Sequence, residues 1–467
     1  MNVNPYTLKE LRQLTRSRFI TGSLVAYLYI SLGISYFLPI GGIGQDTGSE
    51  LFAALNSILL VMLGLVLPAS TYARMSSERG TKGANADFTL LTAIPPAGVI
   101  DGKLRSAFSL MALFAAATLP FAVLAYLLHG VTFANMLSGL SLTVAYSCVM
   151  VHIAVATASM KLSRIFRHVV FFLIFIAQIF STAGTAFVSR VVSESADWGE
   201  LAIVLAAAAT ICVMLRAYAI AYLSPSVMER DARIKAWMLI ALALWGVYTA
   251  TFAPKGLRMF NNAIGVWLGS GAAGVMILAG YALSQPTGYS RRILAARAKL
   301  SRLRRFITWP WSSGATNTFI FAVAIAAVLS AVEPLSKPWF DATVTANACG
   351  GAGPNMLDKP YELAIVFMYV FALMLVIRAI WRFISRSVNV QPLIVPTISL
   401  MIFVFLQSMP WLLAINGLSD PEDYFNMPFV LRGISDFERE HLVYSAIAFG
   451  CGVLVNLRAF LRALRAK

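Results

Sequence analysis

Apolar stretches of about 20 residues recur along the whole chain, and each is long enough to cross a bilayer as a helix. Twelve such runs can be read: 19–40, 51–73, 106–128, 134–160, 169–189, 200–223, 237–253, 263–284, 317–333, 361–381, 391–416 and 442–460. Hydrocarbon offers backbone N–H and C=O groups no water, so a segment inside it must satisfy its own hydrogen bonds. Period-2 alternation is absent, which argues against a β-barrel. The expected fold is therefore all-α: a polytopic helical membrane protein with about twelve transmembrane helices. Only 12% of the 467 residues are charged, about half the share of a soluble protein.

The formal net charge of +16 would suit a nucleic-acid partner, but its placement does not. If the spans alternate from an N-terminus on the cytoplasmic side, the inward segments carry 29 of the 37 Lys and Arg and the outward segments 7, with Arg216 inside a run. That asymmetry follows the positive-inside rule and predicts that both termini are cytoplasmic. The first run is long and lacks a small-residue cleavage site, so it is expected to remain as a span. No Asn-x-Ser/Thr acceptor occurs, which favours a bacterial inner membrane. Of the four cysteines, 148, 212 and 451 fall in runs and only Cys349 faces outward, so neither an external disulfide nor a metal-ligand spacing is expected.

Two segments read as basic amphipathic helices lying on the membrane. In 4–18, Asn4 is placed to cap a helix with Pro5 at its first position. There Leu8, Leu11 and Leu14 share one face and Lys9, Arg12 and Arg16 another. In 288–308, Ile293, Ala296, Leu300, Leu303 and Ile307 form a narrow stripe among seven basic residues, with Trp309 and Trp311 following. Such helices sink halfway into the inner leaflet and attract anionic membrane lipids, each basic residue contributing on the order of 1 kcal/mol. An apolar stripe has no use on nucleic acid, so no nucleic-acid partner is expected.

The segment 74–105 is more elaborate than a connector. It has a charged turn with Arg74, Glu78, Gly80 and Thr81, then Asp87, Leu90 and Leu91 in a short amphipathic stretch, a break at Pro95 and Pro96, and Gly102-Lys103 where the next span begins. This order resembles the coupling segment of exporter-type (type-2) permeases of ATP-binding-cassette (ABC) transporters. Residues 82–86 are inserted relative to that pattern. The resemblance covers about residues 1–235, in the order surface helix, two spans, coupling segment and four spans, the sixth span leaving through Ala221, Leu223 and Pro225. It implies that Glu78, Gly80, Thr81, Asp87, Leu90, Leu91, Pro95, Gly102 and Lys103 contact a cytoplasmic ABC ATPase subunit. Residues 236–467 form an additional membrane region of about six spans, either extra helices or a second permease half. A second copy of the chain or a second permease is a further expected partner.

The chain itself carries no catalytic, cofactor-binding or metal motif. The nearest approach to a phosphate loop, Gly98 to Leu104, has three residues between its glycines where a Walker A loop needs four, and Leu104 stands where Ser or Thr must follow the lysine. ATP would therefore be bound by the partner subunit, and Lys103 is expected at the cytoplasmic headgroups. No acid falls in the middle of a run: Glu10, Glu78, Asp87, Asp101, Glu229 and Asp231 lie on the inward side and the others outside. Ion-coupled carriers usually bury carboxylates. His152 alone among the histidines is well inside a run, where a hydrogen bond between helices is its ordinary use. Arg216, about 12 Å deep by helical rise, either snorkels to the interface or meets an anionic lipid or cargo headgroup. The expected function is the permease subunit of an ABC exporter. The alternatives are an ion-coupled secondary transporter or flippase, and a lipid-linked-sugar glycosyltransferase using outward acids such as Asp46 and Glu50.

Overall fold

The computed structural model describes residues 5–40, 47–80, 95–160, 198–224, 231–252, 317–331 and 443–454, together with isolated positions between them. Helices account for the secondary structure, and no strand occurs among the described residues. Among the described residues, five helices are long and apolar enough to cross a membrane. The chain divides into two compact units, Met1–Ser224 and Pro225–Lys467.

In the first unit a short helix, α1 (Pro5–Thr15), precedes α2 (Arg18–Ile40). A long rod follows. It begins as α3 (Thr47–Val61), passes through one π-helical turn (Met62–Val66) and continues as α4 (Leu67–Gly80). Then come α5 (Pro96–Leu127), α6 (Phe133–Ser159) and α7 (Trp198–Leu223). The rod is the most enclosed of the five candidate spans and α2 the least. Leu51, Phe52, Leu55, Ala122, Ala125 and Met136 join α3, α5 and α6 in one core cluster. α3 approaches α5 so closely that a Cβ on Gly48 would overlap the carbonyl oxygens of Ala125 and His129. The α5–α6 turn runs through the left-handed region at His129 (φ 61°) and Gly130 (φ 86°). Thr132 then caps α6 by accepting from the backbone N–H of Asn135 at 3.2 Å.

The helices outrun the apolar segments that announced them. The second run ends near residue 73, yet its helix continues to Gly80, so Glu78 rides on a helix and not on a turn. The third run begins near residue 106, yet α5 starts at Pro96, in the first helical turn where a missing N–H is harmless. Val99, Ile100, Lys103, Leu104 and Ala107 form the buried stripe of that added stretch. What the sequence presents as a loop over 74–105 is thus helical over 74–80 and 96–105, and residues 81–94 lie outside the described residues.

The second unit contains α8 (Asp231–Phe252). Two shorter apolar helices are α9 (Asn317–Ala331) and α10 (Val443–Leu454). The expected surface helix at 288–308, apart from Ser301, and the long outward segments 334–360 and 419–441 fall outside the described residues.

Candidate functional site

The lysine that opens the third apolar run is enclosed by protein. Lys103 is 3% exposed, and its ammonium donates to Glu10 Oε1 at 2.8 Å and lies 2.9 Å from Glu78 Oε2. Three helices meet there: Glu10 comes from α1, Glu78 from α4 and Lys103 from α5. Tyr6 completes the knot, its hydroxyl donating to Glu78 Oε2 at 3.1 Å. The ammonium groups of Lys9 and Lys103 lie 5.2 Å and 5.5 Å from its ring centroid, within cation–π range. Lys9 adds a looser 4.0 Å approach to Glu78 Oε1, and Arg74 stands within electrostatic reach of both carboxylates. Burial pushes the Tyr6 hydroxyl above its ordinary pKa, and the charges of Glu78 and Glu10 push it further the same way. The phenol therefore stays neutral and keeps the proton that it donates.

This knot fixes how α1 sits. Tyr6, Thr7, Glu10 and Leu14 form the face turned into the protein, against α5. Leu8 is half-exposed and Lys9, Arg12 and Arg16 are exposed. The leucines expected to share a membrane face are thus divided, Leu14 being inside the protein and Leu8 outside. A docked helix has a third, protein-facing side that a two-sided amphipathic reading merges with its apolar one.

Gly102 explains itself in the same place. The Tyr6 ring lies over it, and a Cβ on residue 102 would stand 2.7 Å from Tyr6 Cδ1. One residue earlier, Asp101 forms a two-pronged ion pair with Arg216 of α7, Nε to Oδ1 at 2.6 Å and Nη2 to Oδ2 at 2.8 Å. Arg216, expected to snorkel or to meet a headgroup, has a carboxylate of its own chain as partner.

Of the residues expected to couple to an ATPase, Glu78, Gly102 and Lys103 come together in the knot. Gly80 ends α4, and Pro95, exposed and extended (φ −65°, ψ 151°), directly precedes α5. Thr81, Asp87, Leu90 and Leu91 lie outside the described residues. Sequence reasoning passed over Glu10, Tyr6 and Asp101. A signal for the first was present, since Glu10 is the one acid on a basic helix and shares a face with Tyr6 and Leu14 at helical spacing.

Two further polar positions differ from expectation. His152 bonds the carbonyl of Cys148 one turn back in its own helix, Nδ1 to O at 2.7 Å. Asp231, expected on the inward side beside the seventh run, opens α8 fully buried, as is Lys235 one turn on. Its carboxylate accepts from Tyr281 (3.0 Å), the Gly314 N–H (3.1 Å) and the Thr318 hydroxyl (2.7 Å). Among the described residues no group of three or more His, Cys, Asp or Glu is placed to hold a metal ion. No family model matches this sequence, and neither a curated protein nor a solved structure matches it.

Proposed function

We propose that this chain is the membrane-spanning permease subunit of an ABC transporter, an exporter of the bacterial inner membrane, powered by a separate ATPase subunit that docks on segment 74–105. The observation that carries the reading is the knot of Tyr6, Glu10, Glu78 and Lys103. It ties the N-terminal helix to both ends of residues 81–94, which include the Asp87, Leu90 and Leu91 of the resembling pattern. Burying Lys103 and Glu10, with Glu78 half-buried beside them, costs several kcal/mol per sealed ion in desolvation, and apolar packing of equal volume is often as stable. A connector would gain nothing from such an arrangement. A segment that must take up force gains a fixed base, because the geometry of a buried ion pair allows few alternatives. In this mechanism Leu90 and Leu91 give the apolar contact with the ATPase and Asp87 offers it a charge. Closure of two ATPase subunits on ATP then rocks the helices between inward- and outward-open arrangements.

The test is to purify the full chain from its native membrane with whatever ATPase accompanies it. ATP hydrolysis stimulated by the permease is expected. Leu90→Asp with Leu91→Asp should abolish both co-purification and stimulation, and unchanged stimulation in that variant would refute the docking role. The buried Asp231 of α8 favours a second reading, an ion-coupled carrier, since such residues often mark ion pathways. Three donors already engage its carboxylate, which suits a pin between segments better than a carrier of protons. Transport driven by an ion gradient without nucleotide would reverse that preference.

A further inference from the structure

Residues 101, 102 and 103 are consecutive, and each grips a different neighbour. Lys103 holds Glu10 and Glu78, Gly102 receives the ring of Tyr6, and Asp101 clasps Arg216. The start of α5 is therefore fastened to α1 and α4 on one side and to α7 on the other. The two fastenings differ in kind. Lys103 and Glu10 are sealed from solvent, whereas the Arg216 and Asp101 side chains are 37% and 25% exposed. An ion pair that exposed contributes little to stability. Its value lies in geometry, because two parallel N–H···O bonds fix direction as well as distance. A lipid phosphate seeking Arg216 would have to displace that carboxylate.

We propose that the Asp101–Arg216 pair is the link that carries a displacement of the α5 start into α7, making both of them positioning residues. The proposal rests on the functional reading above, in which an ATPase moves segment 74–105. When α5 is pushed at its first turns, the bidentate pair obliges α7 to follow. α7 packs along α6, so the movement spreads into the bundle. Without the pair, the ATPase still docks and hydrolyses, but α7 stays behind.

The experiment uses the full chain with its ATPase, the four cysteines replaced by serine and spin labels at Leu32 of α2 and Ala209 of α7, both exposed. The distance between the labels is read with and without ATP and vanadate. The native pair is expected to give a shift. Asp101→Asn should retain the bound ATPase, lose the shift and lower permease-dependent stimulation about tenfold. The exchanged pair Asp101→Arg with Arg216→Asp should restore both. A merely structural role would lower the melting temperature and leave the shift in place. If the Asp101→Asn complex shifts as the native one does, the link is overturned while the ATPase reading stands. If no ATPase accompanies the native chain, that reading is overturned and the link with it. Should Asp101→Asn fail to fold, the exchanged pair decides: a folded complex without the shift overturns the link.

Discussion

A single hydrogen at position 102 is what lets α1 lie down. The nearest atoms to a Cβ there would be Tyr6 Cδ1 at 2.7 Å, Tyr6 Cβ at 3.3 Å and the Thr7 nitrogen at 3.4 Å. A ring can turn, but the backbone behind it cannot, so α1 must lift. Alanine ordinarily gains up to about 1 kcal/mol over glycine inside a helix. Here overpacking of about 1–3 kcal/mol outweighs that gain. Gly102→Ala should lower the thermal midpoint of the purified protein. In a Tyr6→Ala background the same change should be neutral or stabilising, a coupling that a double-mutant cycle measures directly. The sequence showed the glycine but not its reason, because the ring that needs the space is 96 positions away in the chain.

At the scale of the element, α1 is a docked strut and not a free float. Its Glu10 is 2% exposed, so deleting the partner ammonium strands a negative charge. Lys103→Met should cost about 3–5 kcal/mol and expose α1 to limited proteolysis. Adding Glu10→Gln should recover much of the loss, and a failure of the second change to help would argue that packing, not charge, holds the strut. This is also where the sequence ran out. Apolar runs marked the spans because hydropathy is local, but their ends were misplaced by seven to ten residues where polar side chains belong to the helices. Glu78 and Lys103 look like loop residues until their partners are known. Those partners are long-range, Lys103 lying 93 positions from Glu10 and Arg216 115 from Asp101. No hydropathy pattern within one sequence joins residues so far apart. Asp231 likewise stands beside an apolar run in the sequence, and the contacts that bury it are 50 and 87 positions distant.

At the scale of the whole molecule, the five candidate spans among the described residues fall within Met1–Ser224 and overlap expected apolar runs. If the charge asymmetry sets the orientation, a reporter fused after Lys467 should be active only in the cytoplasm, whereas activity outside the cell would invert the proposed topology. The knot also has a consequence for biosynthesis. Glu10 leaves the ribosome 93 residues ahead of Lys103. Throughout that interval the nascent N-terminal helix has to wait with its acid unmatched, and its solvent-side Lys9, Arg12 and Leu8 suit it to waiting on the lipid surface. Arrival of the third span ends the wait, so the first-made helix settles only after two later ones have been threaded past it.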